Sequence, residues 1–201
     1  MRIHLTLLAL AALGVVAAAA TRGTRPQGPQ TFEAPLDTTS AGGVKCYRFS
    51  QYFVMEHEFT DELGADVIVR PLQPGGASAA ATTCAFDSVA GDYVVRNDWA
   101  EYFSGIRRHF LFLYSGTGPQ SDVVVHDVAQ RRRLIDIPTT DIVGWRDSVT
   151  LEVWVRRDTL PHSRCPDIPS SLTAGVDSLM ALDLRTLRYT AVGPWRCEAW
   201  Q

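Results

Sequence analysis

Gln51-Tyr-Phe-Val-Met-Glu-His-Glu-Phe59 decides the fold class. In an extended chain Phe53, Met55, His57 and Phe59 fall on one face, and Tyr52, Val54, Glu56 and Glu58 on the other. That two-residue period is the mark of a strand, and it returns in residues 65–69, 93–96, 109–114, 123–128, 133–137, 149–156, 179–184 and 188–192. Loop formers separate these runs: Pro74-Gly75-Gly76, Gly91-Asp92, Ser115-Gly116-Thr117-Gly118-Pro119 and Gly193-Pro194. Only Asp98 to Ile106 is open to a turn or two of helix. The expectation is an all-β protein of about nine short antiparallel strands, arranged as a sandwich, a barrel or a partial propeller-like stack.

Two stretches look alike. Val123-Val-Val-His-Asp127-Val-Ala-Gln-Arg-Arg-Arg-Leu-Ile135 and Leu179-Met-Ala-Leu-Asp183-Leu-Arg-Thr-Leu-Arg-Tyr-Thr-Ala191 both read as strand, turn, strand. At the bend the Asp carboxylate accepts hydrogen bonds from backbone N–H groups just ahead of it, which explains its position without catalysis. This hairpin resembles the paired strands of β-propeller blades, in which a strand ends in Asp before a short polar turn. The resemblance covers about a dozen residues each time, and the chain has length for at most about four blades.

Before the first strand the chain changes character twice. Met1-Arg2-Ile3-His4 followed by the apolar run from Leu5 to Val16 and the small residues Ala17 to Ala20 reads as a signal peptide over residues 1–20. Residues 21–43 are rich in Pro, Gly, Thr and Gln and read as a flexible tether, leaving 44–201 as one β domain. Export to the periplasm or the extracellular space follows, with no second apolar run to insert into a membrane. Lys45 is the only lysine, so every other base is arginine, a usage that points to a GC-rich bacterial source. With 19 basic and 22 acidic residues there is no basic footprint for nucleic acid.

The four cysteines, Cys46, Cys84, Cys165 and Cys197, form an even set in a disulfide-permissive compartment. Three connectivities are open. Cys46–Cys84 and Cys165–Cys197 is favoured because each pair staples one end of the chain, and each closed loop contributes about 3.7 kcal/mol in the chain-entropy account. No C-x-x-C motif and no zinc spacing is present, so the cysteines read as structural.

The enzyme motifs G-x-S-x-G, H-E-x-x-H, the phosphate loop and the dinucleotide fingerprint are missing. His57-Glu58 lacks a second histidine, and His109, His126 and His162 lie in separate segments. His126 and Asp127 are adjacent in a strand and point to opposite faces. Glu56 and Glu58 share a face that reads as solvent-exposed. The Ser115–Pro119 loop reads as a hairpin connection, with an anion nest as the sharper alternative. Arg131-Arg132-Arg133 reads as a solvated turn. Trp195 and Trp200 are expected to pack around the Cys197 disulfide. Within residues 149–156 the alternation turns Val149, Leu151, Val153 and Val155 inward and leaves Trp154 and Arg156 on a polar face, which makes these two the candidate binding residues. No cofactor or metal is implied. The reading that follows is an exported, non-enzymatic binding or inhibitory module with a protein or glycan partner of unknown identity. Two alternatives stay open: a secreted hydrolase acting on peptides or glycans, and a structural component of an envelope assembly.

Overall fold

In the computed structural model the described residues are 31–73, 82–116 and 121–200. The leader, the first part of the tether (21–30), the Pro74-Gly75-Gly76 turn and Thr117-Gly118-Pro119 lie outside them. Among the described residues the chain forms thirteen strands, all paired antiparallel, and one 3₁₀ turn at His162–Arg164. The strand count therefore exceeds the nine or so read from alternation.

The first sheet runs in chain order through β1 (Asp37–Ala41), β2 (Val44–Arg48), β3 (Tyr52–Glu58), β4 (Ala65–Pro71) and β5 (Tyr93–Val95). The second holds β6 (Glu101–Arg107), β7 (Phe110–Ser115), β8 (Asp122–Asp127) and β9 (Arg132–Ile137). The third holds β10 (Thr139–Trp145), β11 (Thr150–Thr159), β12 (Thr173–Asp183) and β13 (Arg188–Trp200). Each sheet is a meander whose strands neighbour one another in chain order, the arrangement of a propeller blade. The span from Asp98 to Ile106 is a bend followed, from Glu101, by β6, and holds no helix. Its alternation is hidden by a bulge between Phe103 and Gly105, where Phe32 packs so close over Gly105 that a Cβ would collide with the ring.

Period-two alternation makes the second sheet the centre of the stack. Leu111, Leu113 and Val124 point from it toward Val54, Val67 and Val69 of the first sheet. From the other face Phe110, Phe112, Val123 and Val125 meet Leu151, Val153, Val155 and Leu182 of the third. The far face of the first sheet is closed by a smaller cluster in which Phe53, Met55 and Ile68 meet Phe86 and Cys84. Both disulfides form as the sequence suggested, Cys46–Cys84 and Cys165–Cys197. One ties each outer sheet.

Residues 31–43, read as the end of a tether, follow a more ordered path. Phe32 packs on the core between the second and third sheets, with its ring 5.1 Å from Phe112. Trp145 donates its indole N–H to the Thr31 carbonyl at 2.6 Å, and the Glu33 amide donates to Ile106 O at 2.9 Å. Gly42 and Gly43, both at positive φ, then turn β1 back onto β2 in a two-residue hairpin. The low apolar content that suggested a tether holds only one large ring, but that ring reaches the core.

The look-alike hairpins occupy equivalent corners of the second and third sheets. Asp127 Oδ1 accepts the Gln130 amide at 2.9 Å, and Asp183 Oδ1 accepts the amides of Arg185 and Thr186 at 2.8 and 3.1 Å. The next residue in each case, Val128 or Leu184, donates its amide to the residue before the preceding strand, His109 or Val149, at 2.8 and 3.0 Å. Arg131 and Leu187, four residues after each Asp, share φ 56°.

Candidate functional site

The histidines do not converge. His57 packs between Phe59 and Phe86, with ring centroids 5.9 and 5.3 Å away, as its face in β3 requires. His109 lies on Phe110 and 3.9 Å from the Asp127 carboxylate, whereas His162 Nε2 meets the carbonyls of Pro169 and Leu172. His126 points the other way from Asp127, toward the first sheet, where its Nδ1 is 2.8 Å from the Tyr93 hydroxyl. Burial holds the His126 pKa down to about 4, with Arg133 pushing in the same direction. No group of three or more metal-ligating side chains occurs among the described residues.

Glu56 is buried, against the expectation of an exposed strand face. Its carboxylate accepts the Phe103 amide at 2.9 Å and the Tyr47 hydroxyl at 3.1 Å, so it joins the first two sheets. Burial raises its pKa and these hydrogen bonds pull it back. Glu58 stays exposed and pairs with Lys45. The arginine run is likewise engaged. Arg131 donates to the Gly91 and Asp92 carbonyls, and Arg133 pairs with Asp136 at 2.7 Å, Glu101 at 3.1 Å and Asp98 at 3.7 Å.

Trp154 and Arg156 lie on the face that alternation assigns them, opposite buried Leu151, Val153 and Val155. The Arg196 guanidinium stacks on the Trp154 ring at 4.3 Å and sits 3.6 Å from the buried Asp177 carboxylate. Arg156 is a strut between sheets: Nη1 donates to Ser121 O at 2.7 Å and Nη2 pairs with Asp122. Trp200 packs over Gly175, and Trp195 is 49 % exposed.

A different tryptophan is presented to solvent. Trp99 is 73 % exposed, the most exposed of the large apolar side chains among the described residues. It sits in the crossover from the first sheet to the second, just before Ala100, which is buried at φ 46°. This left-handed conformation is costly for a residue with a Cβ, by about 1–2 kcal/mol. Surrounding hydrogen bonds hold it: Ser115 Oγ donates to Trp99 O at 3.0 Å, Gly116 N to Ala100 O at 3.3 Å, and Glu101 N to Asn97 Oδ1 at 3.1 Å. The Asn97 side chain also donates to the carbonyl of Leu63, itself 60 % exposed, at 2.8 Å. Asp98 adds an 81 % exposed carboxylate. The sequence signal was present but faint: Asn97-Asp98 are turn formers and lie immediately before Trp99.

Where the second and third sheets splay apart, a cleft of about 300 Å³ opens. Its lining includes Phe32, Ser104, Tyr114, Ser121, Val123, Asp141 and Ile142. Thr139 also borders it, but its hydroxyl is used between β10 and β11, donating to Trp154 O at 2.7 Å and accepting the Asp141 amide at 3.0 Å. Bulges between Thr139 and Asp141 and between Ile142 and Gly144 break the alternation of β10, which is why the sequence did not disclose this wall. In comparisons with protein-family models, curated proteins and solved structures, nothing matches this chain.

Proposed function

We propose that this chain is an exported, non-enzymatic binding module working in an oxidising compartment, periplasmic or extracellular, and that Trp99 anchors a protein partner. The observation that carries the reading is Trp99 itself, exposed on a turn whose unfavourable backbone is fixed by three hydrogen bonds. Backbone strain of this kind concentrates at functional sites. A rigidly held tryptophan loses little entropy on binding, and Trp is enriched among residues that dominate interface energies. Two disulfides and no free cysteine among the described residues fit an oxidising compartment. No helix among the described residues is long and apolar enough to cross a membrane. Trp154 serves less well as the anchor because Arg196 already occupies its ring.

The test is capture from periplasmic and extracellular extract on immobilised, oxidised protein, with Trp99→Ala and Trp154→Ala alongside and the captured polypeptides quantified by mass spectrometry. The expected result is a partner retained by the native protein and by Trp154→Ala, and reduced at least about tenfold by Trp99→Ala. Capture that survives Trp99→Ala and fails with Trp154→Ala moves the interface to the outer face of the third sheet and overturns the Trp99 reading.

A further inference from the structure

The meander topology sorts the turns between two ends of the stack. The turns β2–β3, β6–β7, β8–β9, β10–β11 and β12–β13 gather at one end. Val128 N donates to His109 O at 2.8 Å and Leu184 N to Val149 O at 3.0 Å, which joins neighbouring turns within the second and third sheets. Arg107 Cζ lies 4.8 Å over the Trp145 ring, Arg131 donates to the Gly91 and Asp92 carbonyls, and Phe49 packs in one cluster with Ile106 and Val128, so the three sheets meet there. Five arginines in or beside these turns, Arg48, Arg108, Arg131, Arg132 and Arg188, are exposed and form no ion pair among the described residues. Acids are present at this end but lie deeper or turn inward. Asp92 and Asp127 are buried, Asp147 and Asp183 accept amides of their own turns, and Glu33 accepts the Arg108 amide; Asp87 stays exposed.

The far end, where the β3–β4 turn meets the Trp99 crossover, has the reverse character: Asp61, Glu62 and Asp98 are exposed there. The described chain begins at the arginine end, because Thr31 O accepts the Trp145 indole N–H. Residues 1–30 of the sequence contain Arg2, Arg22 and Arg25, no acid, and the apolar run Leu5–Val16. A run of bilayer-seeking residues is thus joined to the domain at its positive end. The arginines are spread over turns of all three sheets rather than lining a pocket, which suits a broad anionic surface.

We propose that the arginine end docks on the anionic phospholipid headgroups of a membrane surface, with the Trp99 end turned away from the bilayer. Guanidinium groups hold their charge at every physiological pH and bond phosphate in a bidentate fork. The attraction is electrostatic and needs no inserted side chain, so it fades beyond a Debye length, about 8–10 Å at ordinary salt. The proposal stands without the Trp99 reading, since headgroup docking and partner capture use opposite ends of the molecule.

The experiment is vesicle co-sedimentation of the oxidised chain without its leader, residues 21–201, which keeps every described residue and lacks the apolar run that partitions into a bilayer by itself. Vesicles are phosphatidylcholine alone, or equal parts phosphatidylcholine and phosphatidylglycerol. Binding to the mixed vesicles at low salt is expected, with loss at about 0.5 M salt and none to phosphatidylcholine alone. Arg132→Glu with Arg188→Glu is expected to weaken it at least about tenfold. Arg157→Glu with Arg164→Glu makes the same change of net charge at the opposite end, and is expected to leave binding within about twofold. All four side chains are exposed and unpaired by any acid among the described residues, so both double variants should keep the native Tm. Equal losses from the two pairs reduce the effect to net charge and overturn the proposal. Loss on Trp99→Ala puts the other end on the bilayer and overturns it too, as does equal binding to both vesicle types. No binding to the mixed vesicles at low salt overturns it outright, and retention on immobilised heparin in that case points to a soluble anionic polymer instead.

Discussion

His126 is 4 % exposed, sealed between the first two sheets, and its Nε2 finds no hydrogen-bond partner among the described residues. Its folded pKa of about 4 lies below the ordinary value of 6.5, so the unfolded chain binds this proton first as pH falls. The stability that the neutral imidazole confers is present above pH 6.5 and is lost between 6.5 and 4, to a total of about 3 kcal/mol. Glu56 and Glu101 work in the opposite sense. Burial raises both pKa values, so each favours the fold more in acid and less as pH rises through its folded pKa. The His126 contribution is therefore read as a difference: urea unfolding of native protein and of His126→Gln across pH 7 to 4 should show the native protein losing the larger share. Parallel losses in the two would remove His126 as the acid-sensitive group.

At the scale of an element, the Asp corner shared by β8–β9 and β12–β13 explains a resemblance that the sequence shows but does not account for. In each, the Asp carboxylate accepts backbone amide hydrogen bonds from the turn (one at Asp127, two at Asp183), an apolar residue follows it inward, and the non-glycine residue immediately before the next strand adopts φ 56°. Leu187 occupies that left-handed position in the third sheet with a Cβ that glycine would not carry. Leu187→Gly should raise stability by up to about 1 kcal/mol, a thermal shift of about 2–4 °C for a chain of this size. A drop in Tm instead would mean that the Leu187 side chain contributes more by packing than its backbone loses by strain.

For the molecule as a whole, three meanders lie in series, and only the central one is covered on both faces by neighbouring sheets. The outer faces end in different caps. The Cys46–Cys84 loop brings Phe86 and Cys84 over the first sheet, while Trp154, Asp177 and Arg196 form a charged and aromatic layer on the third. Terminal units of stacked repeats carry such closures because they lack a further neighbour. Burial on both faces predicts where opening is hardest. Amide hydrogen exchange should be slowest in Leu111–Leu113 and Val123–Val125 and fastest in β1, whose residues are all exposed. Slowest exchange in the first or third sheet would place the stability centre elsewhere.

Alternation alone determined the all-β class, the inward residues of β11 and the Asp corners, because strand period and turn chemistry are local properties; β3, β7 and β8 are buried on both faces, which alternation does not record. Cysteine placement along the chain was enough to favour the disulfide pairing that forms. β1, β2, β6 and β10 went unread, being short, bulged or poor in large residues, and their pairing comes from neighbours already in place. Arg156 and Trp154 were placed on the right face, but the sequence could not show that Asp122 and Arg196 would engage them. Nor could it show that Trp99 would be left in water, or that Tyr114 and Asp141, 27 positions apart in the chain, would line one cleft. Those outcomes depend on how the sheets stack, and stacking is decided by long-range packing between side chains that no local pattern records.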